Sequence, residues 1–314
     1  MIEVGELSKI FSSGRGAKRQ SIAAVRDISF SIDPGERVAF IGPNGAGKST
    51  SIKILTGILH PTGGTASVLG YTPWTDRRKL AARIGTLFGQ RSMLWSELTP
   101  LASYRMLAAI YDLSRDEERT RVGELAELLD ANDLLNVPVR SLSLGQRMRC
   151  ELAACMLHRP EILFLDEPTI GLDLLAKQRF RELLLRVNDE QGTTIFLTSH
   201  DVADIEHVAR RAIVINHGSV IYDDEVASMR RSLLSEKVIE VALISSIPPV
   251  TLPGVSVIEH SDTAMKITVD TSITSVRAAL DVLLDGPAVS DITVVDPPLE
   301  SVIARIYELP RTPQ

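Results

Sequence analysis

Nine consecutive residues, Gly42-Pro43-Asn44-Gly45-Ala46-Gly47-Lys48-Ser49-Thr50, have the composition of a cradle for a polyanion. Glycines let the backbone curl close to phosphate groups, so that successive N–H groups and the positive end of a following helix face the anion. Lys48 has the reach for β and γ phosphates, and the Ser49 hydroxyl suits Mg²⁺. Other polar groups stand where apolar runs end. Asp166-Glu167 closes Ile162 to Leu165, Ser199-His200 closes Thr194 to Thr198, and Gln90 follows Ile84 to Phe88. Adjacent carboxylates suit two tasks, one acid oriented toward Mg²⁺ through water and the other placed to activate an attacking water. In isolation such a pair could merely cap the next helix, and an isolated histidine is usually structural. Their place downstream of the phosphate cradle favours chemistry.

A second candidate anion site is Ser141-Leu142-Ser143-Leu144-Gly145-Gln146, ahead of a helical run from Arg147 to His158. Serine and glycine at a helix start present free N–H groups and a positive dipole end, although an ordinary N-cap has the same appearance. His60, His158, His207, His217 and His260 share no metal-ligand spacing and read as structural.

For these groups to act together, their strands must end on one edge. Arg37 to Ile41 reads as a buried strand before the cradle, with Ile52, Leu55, Ile58 and Leu59 at helical spacing after it. In an open parallel α/β sheet, ligands bind beyond the carboxyl ends of the strands. Four strands delivering the Gly42 loop, Gln90, Asp166/Glu167 and His200 therefore predict one shared site. Ile2 to Leu7 reads as a first strand, with Phe11 beyond it, and Ile28, Phe30 and Ile32 alternate in another that stops at Asp33-Pro34-Gly35. His60 to Gly64 reads as a turn, and Val68-Leu69 as a short strand. From Leu94 to about Arg159 the pattern is helical, with Leu101 to Leu113 and Arg121 to Leu135 as helices, which predicts an inserted α-rich subdomain. Beyond Met229 the strands Val238 to Ile244, Val255 to Glu259, Met265 to Val269 and Ile292 to Val295 surround a helix from Val276 to Leu284. Turns stand at Pro248-Pro249 and Leu252-Pro253-Gly254, and Leu299, Val302, Ile303, Ile306 and Tyr307 form an apolar stripe on a final helix. This predicts a small α+β domain over 236–314, after a first domain over 1–228.

The 314 residues, 44% hydrophobic and 24% charged, suit one large domain and one small one. A net charge of −6 argues against a general nucleic-acid binder, and the basic run Arg15, Lys18, Arg19 reads as a solvated loop. Cys150 and Cys155, five apart on a helix, read as buried packing thiols of a reducing compartment. Met1 to Phe11 lacks the apolar core of a secretory signal, and no run reaches a membrane span, so action at a membrane requires another polypeptide.

Taken in order, these motifs resemble those of an ATP-binding cassette (ABC) transporter ATPase over residues 1 to about 228. Gly42 to Ser49 matches the Walker A motif, Gln90 the Q-loop, Leu142 to Gln146 the signature, and Ile162 to Glu167 Walker B. Gly171-Leu172-Asp173 matches the D-loop, His200 the switch histidine, and Phe11 the aromatic that stacks on adenine. The resemblance implies an α/β P-loop NTPase fold with a mixed sheet core, a helical subdomain over about 91–160, and the small C-terminal domain. It implies that Lys48 and the loop amides hold phosphates, Ser49 and Gln90 bind Mg²⁺, Asp166 supports the metal, Glu167 is the general base and His200 contacts the γ-phosphate. Asp173, and Ser143, Gly145 and Gln146 acting in trans, are implied to serve ATP between two cassettes, in a homodimer or a pair with a close paralogue. Leu144 stands where glycine is commonest, and Phe11 where tyrosine is.

Phe88 to Trp95, Arg147 to Leu152 and Asp296 to Glu300 further resemble export-type cassettes related to antibiotic, viologen and sodium exporters. Met93, Leu94 and Trp95 suit either a groove for the permease or core packing. The resemblance implies a cytoplasmic subunit held at the inner face of the membrane by a separate permease. An importer cassette with a regulatory tail, or a soluble ABC protein of repair or translation, is the rival. The absence of long heptad insertions between Lys48 and Ser143, and the single cassette, argue against the soluble one.

Overall fold

The computed structural model describes residues 1–13, 20–88, 92–233, 236–245, 250–284, 289–295, 302–303 and 306–307. Gln90, the Arg15/Lys18/Arg19 run, Pro248-Pro249, Leu299 and the Asp296 to Glu300 motif lie outside them. The chain divides into two compact units, 1–224 and 225–314. In chain order the first contains β1 (Ile2–Ser13), β2 (Gln20–Ile32), β3 (Arg37–Ile41), α1 (Lys48–Leu55), β4 (Gly63–Val68), α2 (Arg77–Ala81) and β5 (Ile84–Phe88). There follow α3 (Pro100–Ile110), α4 (Arg115–Leu128), α5 (Leu144–Met156), β6 (Ile162–Asp166), α6 (Leu174–Gln191), β7 (Thr194–Thr198), α7 (Val202–Val208), β8 (Arg211–Asn216) and β9 (Ser219–Glu225).

Six strands form the central sheet in the order β5-β6-β7-β3-β8-β9, and the pairs from β5 through β8 are parallel. The apolar runs of β6 and β7 are sorted by the two-residue period of a strand. Leu163, Leu165, Ile195 and Leu197 join a core built with the helices of 100–187, whereas Ile162, Phe164 and Phe196 join the core on the other face. There Phe30, Phe40, Phe164 and Phe196 make a cluster with ring centroids 5.3–6.3 Å apart. That second core is closed by α1 and by the antiparallel sheet β2-β1-β4.

Several boundaries differ from those expected. β1 continues past Leu7 to Ser13, so Phe11 lies inside a strand, paired with Ile22. α1 stops at Leu55, because Gly57 takes φ +72 at the helix end, and this leaves Ile58 and Leu59 outside the helix. Gly63 and Gly64 open β4, which ends at Val68, with Leu69 in the following turn at φ +54. The second helix of the α-rich subdomain starts at Arg115 instead of Arg121, because Ser114 and Glu117 form a reciprocal capping box, and it ends at Leu128. A short 3₁₀ turn, Asn132–Leu134, takes the rest of that run.

The second unit contains α8 (Val226–Leu233), β10 (Glu236–Leu243), β11 (Val255–His260), β12 (Ala264–Asp270), α9 (Val276–Leu284) and β13 (Val289–Val295). Its strands form an antiparallel sheet in the order β11-β12-β10-β13. Alternate residues Ile239, Val241 and Leu243, with Met265, Ile267 and Val269, pack on Ala279 and Leu283 of α9. Residues 302–303 and 306–307 are helical, and Val302, Ile303 and Ile306 are buried.

Candidate active site

The tips of β6, β7 and β3 lie side by side, and the loop after β3 carries the glycines. Its shape is fixed by close backbone approach. A Cβ on Gly42 would collide with the carbonyl oxygen of Ile215, and one on Gly47, at φ +113, with that of Ala24. Gly47 is also the N-cap of α1, so the helix opens immediately under the loop. The loop is tied to its surroundings by Gly218 N–H donating to Ala46 O at 3.0 Å and Arg26 N–H donating to Gly218 O at 2.7 Å.

Lys48 is buried, yet among the described residues its ammonium donates only to carbonyls of its own loop, Gly42 O at 2.6 Å and Pro43 O at 3.3 Å, with Glu167 Oε1 at 3.9 Å. Burial pushes its pKa down, and the carboxylates of Glu167 and Asp166 act against that shift. A buried ammonium amid carbonyls, beside glycines that admit no side chain, fits a phosphate chain.

Asp166 ends β6, and its Oδ1 accepts from Ser49 Oγ at 3.2 Å and from Thr198 Oγ1 at 2.7 Å. This puts a hydroxyl and a carboxylate oxygen in one place, a hard oxygen donor set that fits Mg²⁺. Glu167 takes φ +55, in the left-handed region. Its N–H is held by both Thr198 O and Thr198 Oγ1, each at 3.1 Å. The turn delivers the carboxylate to His200, whose Nδ1 lies 2.6 Å from Glu167 Oε2. Behind these groups Asp204 is fully buried and accepts from Thr169 Oγ1 at 2.5 Å, Ser199 Oγ at 2.7 Å and Arg181 Nε at 2.6 Å. It ties the segment after Glu167, the segment before His200 and α6 to one carboxylate.

Thr198 and Asp204 are absent from the sequence-derived set. Thr198 reads as one more β-branched strand residue, and only the register Asp166↔Thr198 reveals its position. Asp204, four residues beyond His200, returns on the inner face of α7, a spacing that could have flagged it.

The structure thus brings together Lys48, Ser49, Asp166, Glu167 and His200. Pro43, Asn44 and Gly45 are exposed on the loop, Ala46 is buried beneath it, and Thr50 lies in α1. Phe11 is 43% exposed, with Lys9 Nζ 5.2 Å from its ring centre. Ser143 and Gln146 cap α5 reciprocally, Gln146 N–H donating to Ser143 Oγ at 3.2 Å and Ser143 N–H to Gln146 Oε1 at 2.9 Å. Within one chain the ordinary N-cap is therefore formed. A Cβ on Gly145 would come within 2.8 Å of Ala176 Cβ, and Asp173 caps α6 through Ala176 N at 2.8 Å. Cys150 and Cys155 are free and buried, and burial raises both thiols, that of Cys150 to about 11.

The ABC transporter family model matches residues 25–170. The chain is 32% identical over 236 residues to the ABC transporter ATP-binding protein NatA of Bacillus subtilis (strain 168), across 75% of this chain and 94% of the relative. It is 32% identical over 197 residues to the linearmycin resistance ATP-binding protein LnrL of the same organism, spanning 63% of each. Among solved structures, the dimeric post-hydrolysis state of the ATP-binding cassette MJ0796 bound to ADP and Pi aligns with a TM-score of 0.62. It is 27% identical, covering 72% of this chain and 99% of that one. A cradle for phosphates, a carboxylate–hydroxyl pair suited to Mg²⁺ and this shared sequence agree: the chain belongs to the ABC transporter family, as an ATP-binding subunit that hydrolyses ATP with Mg²⁺.

Proposed function

We propose that two cassettes close around two ATP molecules and that closure and reopening drive solute export through a separate membrane permease. Among the described residues no helix is long and apolar enough to cross a membrane, which supports a division of labour with a spanning partner. In this reading the chain works on the cytoplasmic face, held there by the permease. The resistance function in the name of LnrL, together with the export-type segments of the sequence, supports the outward direction.

The observation that carries the proposal is the meeting of Lys48, Ser49, Asp166, Glu167 and His200 at neighbouring strand ends. The loop amides and Lys48 would hold the β and γ phosphates. Ser49 and Asp166 would hold Mg²⁺, whose charge offsets that of the phosphate oxygens. Glu167 would take the proton of the attacking water, with His200 holding that carboxylate and facing the γ-phosphate. Phe11 would stack on the base. Ser143, Gly145 and Gln146 would meet the γ-phosphate of the partner's ATP, with Asp173 in the adjacent turn. Loss of the γ-phosphate would remove the contacts that favour the closed pair.

Glu167→Gln tests the assignment. It should bind ATP as the parent does, accumulate a closed pair in ATP, and lose turnover by two orders of magnitude or more. Undiminished steady-state hydrolysis would refute the role given to Glu167.

A further inference from the structure

Glu151 lies in the middle of α5 and is 2% exposed. A buried carboxylate is costly unless its lone pairs are satisfied. This one is satisfied mostly by a different segment. Ser92 Oγ donates to Oε1 in a short hydrogen bond, Met93 N–H donates to Oε2 at 2.8 Å, and Arg147 Nε lies 3.5 Å from Oε1. Arg147, Glu151 and Cys155 are four residues apart and share one face of α5. Cys155 extends the same stripe, with its Sγ 3.4 Å from Met93 Sδ and 3.1 Å from Thr86 O of β5. One face of α5 therefore grips the chain just beyond β5, while the N-terminus of that helix carries Ser143, Gly145 and Gln146.

We propose that Glu151 is a positioning residue that locks the segment Ser92-Met93 to α5, so that this segment and the phosphate-facing end of α5 move as one body. The inference rests on the paired-cassette reading above. Glu151 touches no nucleotide. It sets where the N-terminus of α5 stands when a second chain arrives. Its loss therefore spares ATP binding by one chain and weakens ATP-dependent pairing.

The test uses the full chain in the Glu167→Gln background, with pairing followed by sedimentation in ATP and single-chain affinity measured with dilute protein. Glu151→Gln keeps the volume but offers one acceptor where two are used, setting an NH₂ against a donor. Pairing should weaken about ten- to hundredfold, the range for losing a hydrogen bond to a charged group. Single-chain ATP affinity should stay within about twofold, whereas a merely structural role would lower both together with the melting temperature. Ser92→Ala, at an exposed residue, should weaken pairing in the same sense, and the double variant should add little to either single one. Additive effects overturn the proposal, and so does pairing unshifted in Ser92→Ala, which is read even if Glu151→Gln fails to fold. Failure of the parent to pair in ATP sinks this inference together with the paired-cassette reading. Normal pairing in the parent that both variants leave unchanged sinks this inference alone.

Discussion

Glu167 pays for its position. At φ +55 its Cβ crowds the backbone, a conformation that costs a non-glycine residue about 1–2 kcal/mol. Pro168 follows it, which restricts it further. The turn persists because Thr198 holds the Glu167 N–H from two oxygens, contacts that do not involve the side chain. Glu167→Gly relieves the strain and keeps both bonds, but frees the unfolded chain by about 0.4–1 kcal/mol. Glu167→Ala keeps the strain and, like Gly, makes no bond to His200, so the comparison of Gly with Ala isolates the backbone. The glycine variant should be the more stable by about 0–1.6 kcal/mol, centred near 0.8, and both should lack turnover. For a unit of this size the central value is roughly 2–3 °C in the melting temperature. Calorimetry of the full chain reads it, the cassette transition being the one that ATP moves upward. A glycine variant that melts below the alanine variant would show that the strain at this residue does not exceed the freedom glycine gives the unfolded chain.

Lys48→Ala removes a buried ammonium that is bonded to two loop carbonyls and lies 3.9 Å from Glu167 Oε1, so ATP affinity should fall about ten- to hundredfold and turnover with it, measured by nucleotide titration. Unchanged affinity would remove the cradle from the argument. His158 stacks on Tyr111 with centroids 3.9 Å apart, its Nε2 lies 3.0 Å from Ile84 O, and its buried Nδ1 has no hydrogen-bond partner among the described residues. Burial pushes its pKa down, Arg121 adds to that, and the Ile84 carbonyl opposes it. Below the ordinary value of 6.5 the unfolded chain then binds a proton that the folded chain refuses. Stability should therefore decline as pH falls from 6.5 toward the lowered folded value, and His158→Gln should flatten that part of a denaturant-midpoint profile. An identical slope in the variant would assign the decline to other groups.

What the sequence reveals depends on burial. β3, β5 and β7 were legible to the residue, because a strand buried on both faces must be an unbroken apolar run with a turn at each end. The outer part of the β1–β2 ribbon was not. Ile10, Phe11 and Ile22 there are exposed, and backbone pairing leaves no apolar period to detect. α6 escaped for a related reason. Its first residues, Leu174 and Leu175, are exposed apolar side chains that blur the inward stripe of Phe180, Leu183, Leu184 and Val187. The start of α4 was written as Ser114-x-x-Glu117 and could have been found from capping chemistry alone.

The site divides along the same line. Lys48, Ser49, Asp166 and Glu167 are visible because their chemistry needs particular residue types at particular spacings. Thr198 and Asp204 hold them in place from other strands and helices, and their partners are set by register and not by local pattern. Glu151 belongs with the second group. Its neighbours in the chain say helix, its burial says core, and only the fold brings Ser92 and Met93 to a carboxylate 59 and 58 residues away. Groups proposed to contact phosphate are thus written in motifs, whereas the groups that hold one motif against another are written in the packing. Variants of Glu151, Thr198 and Asp204 should for that reason, like Glu167→Gln, separate binding of ATP from its use.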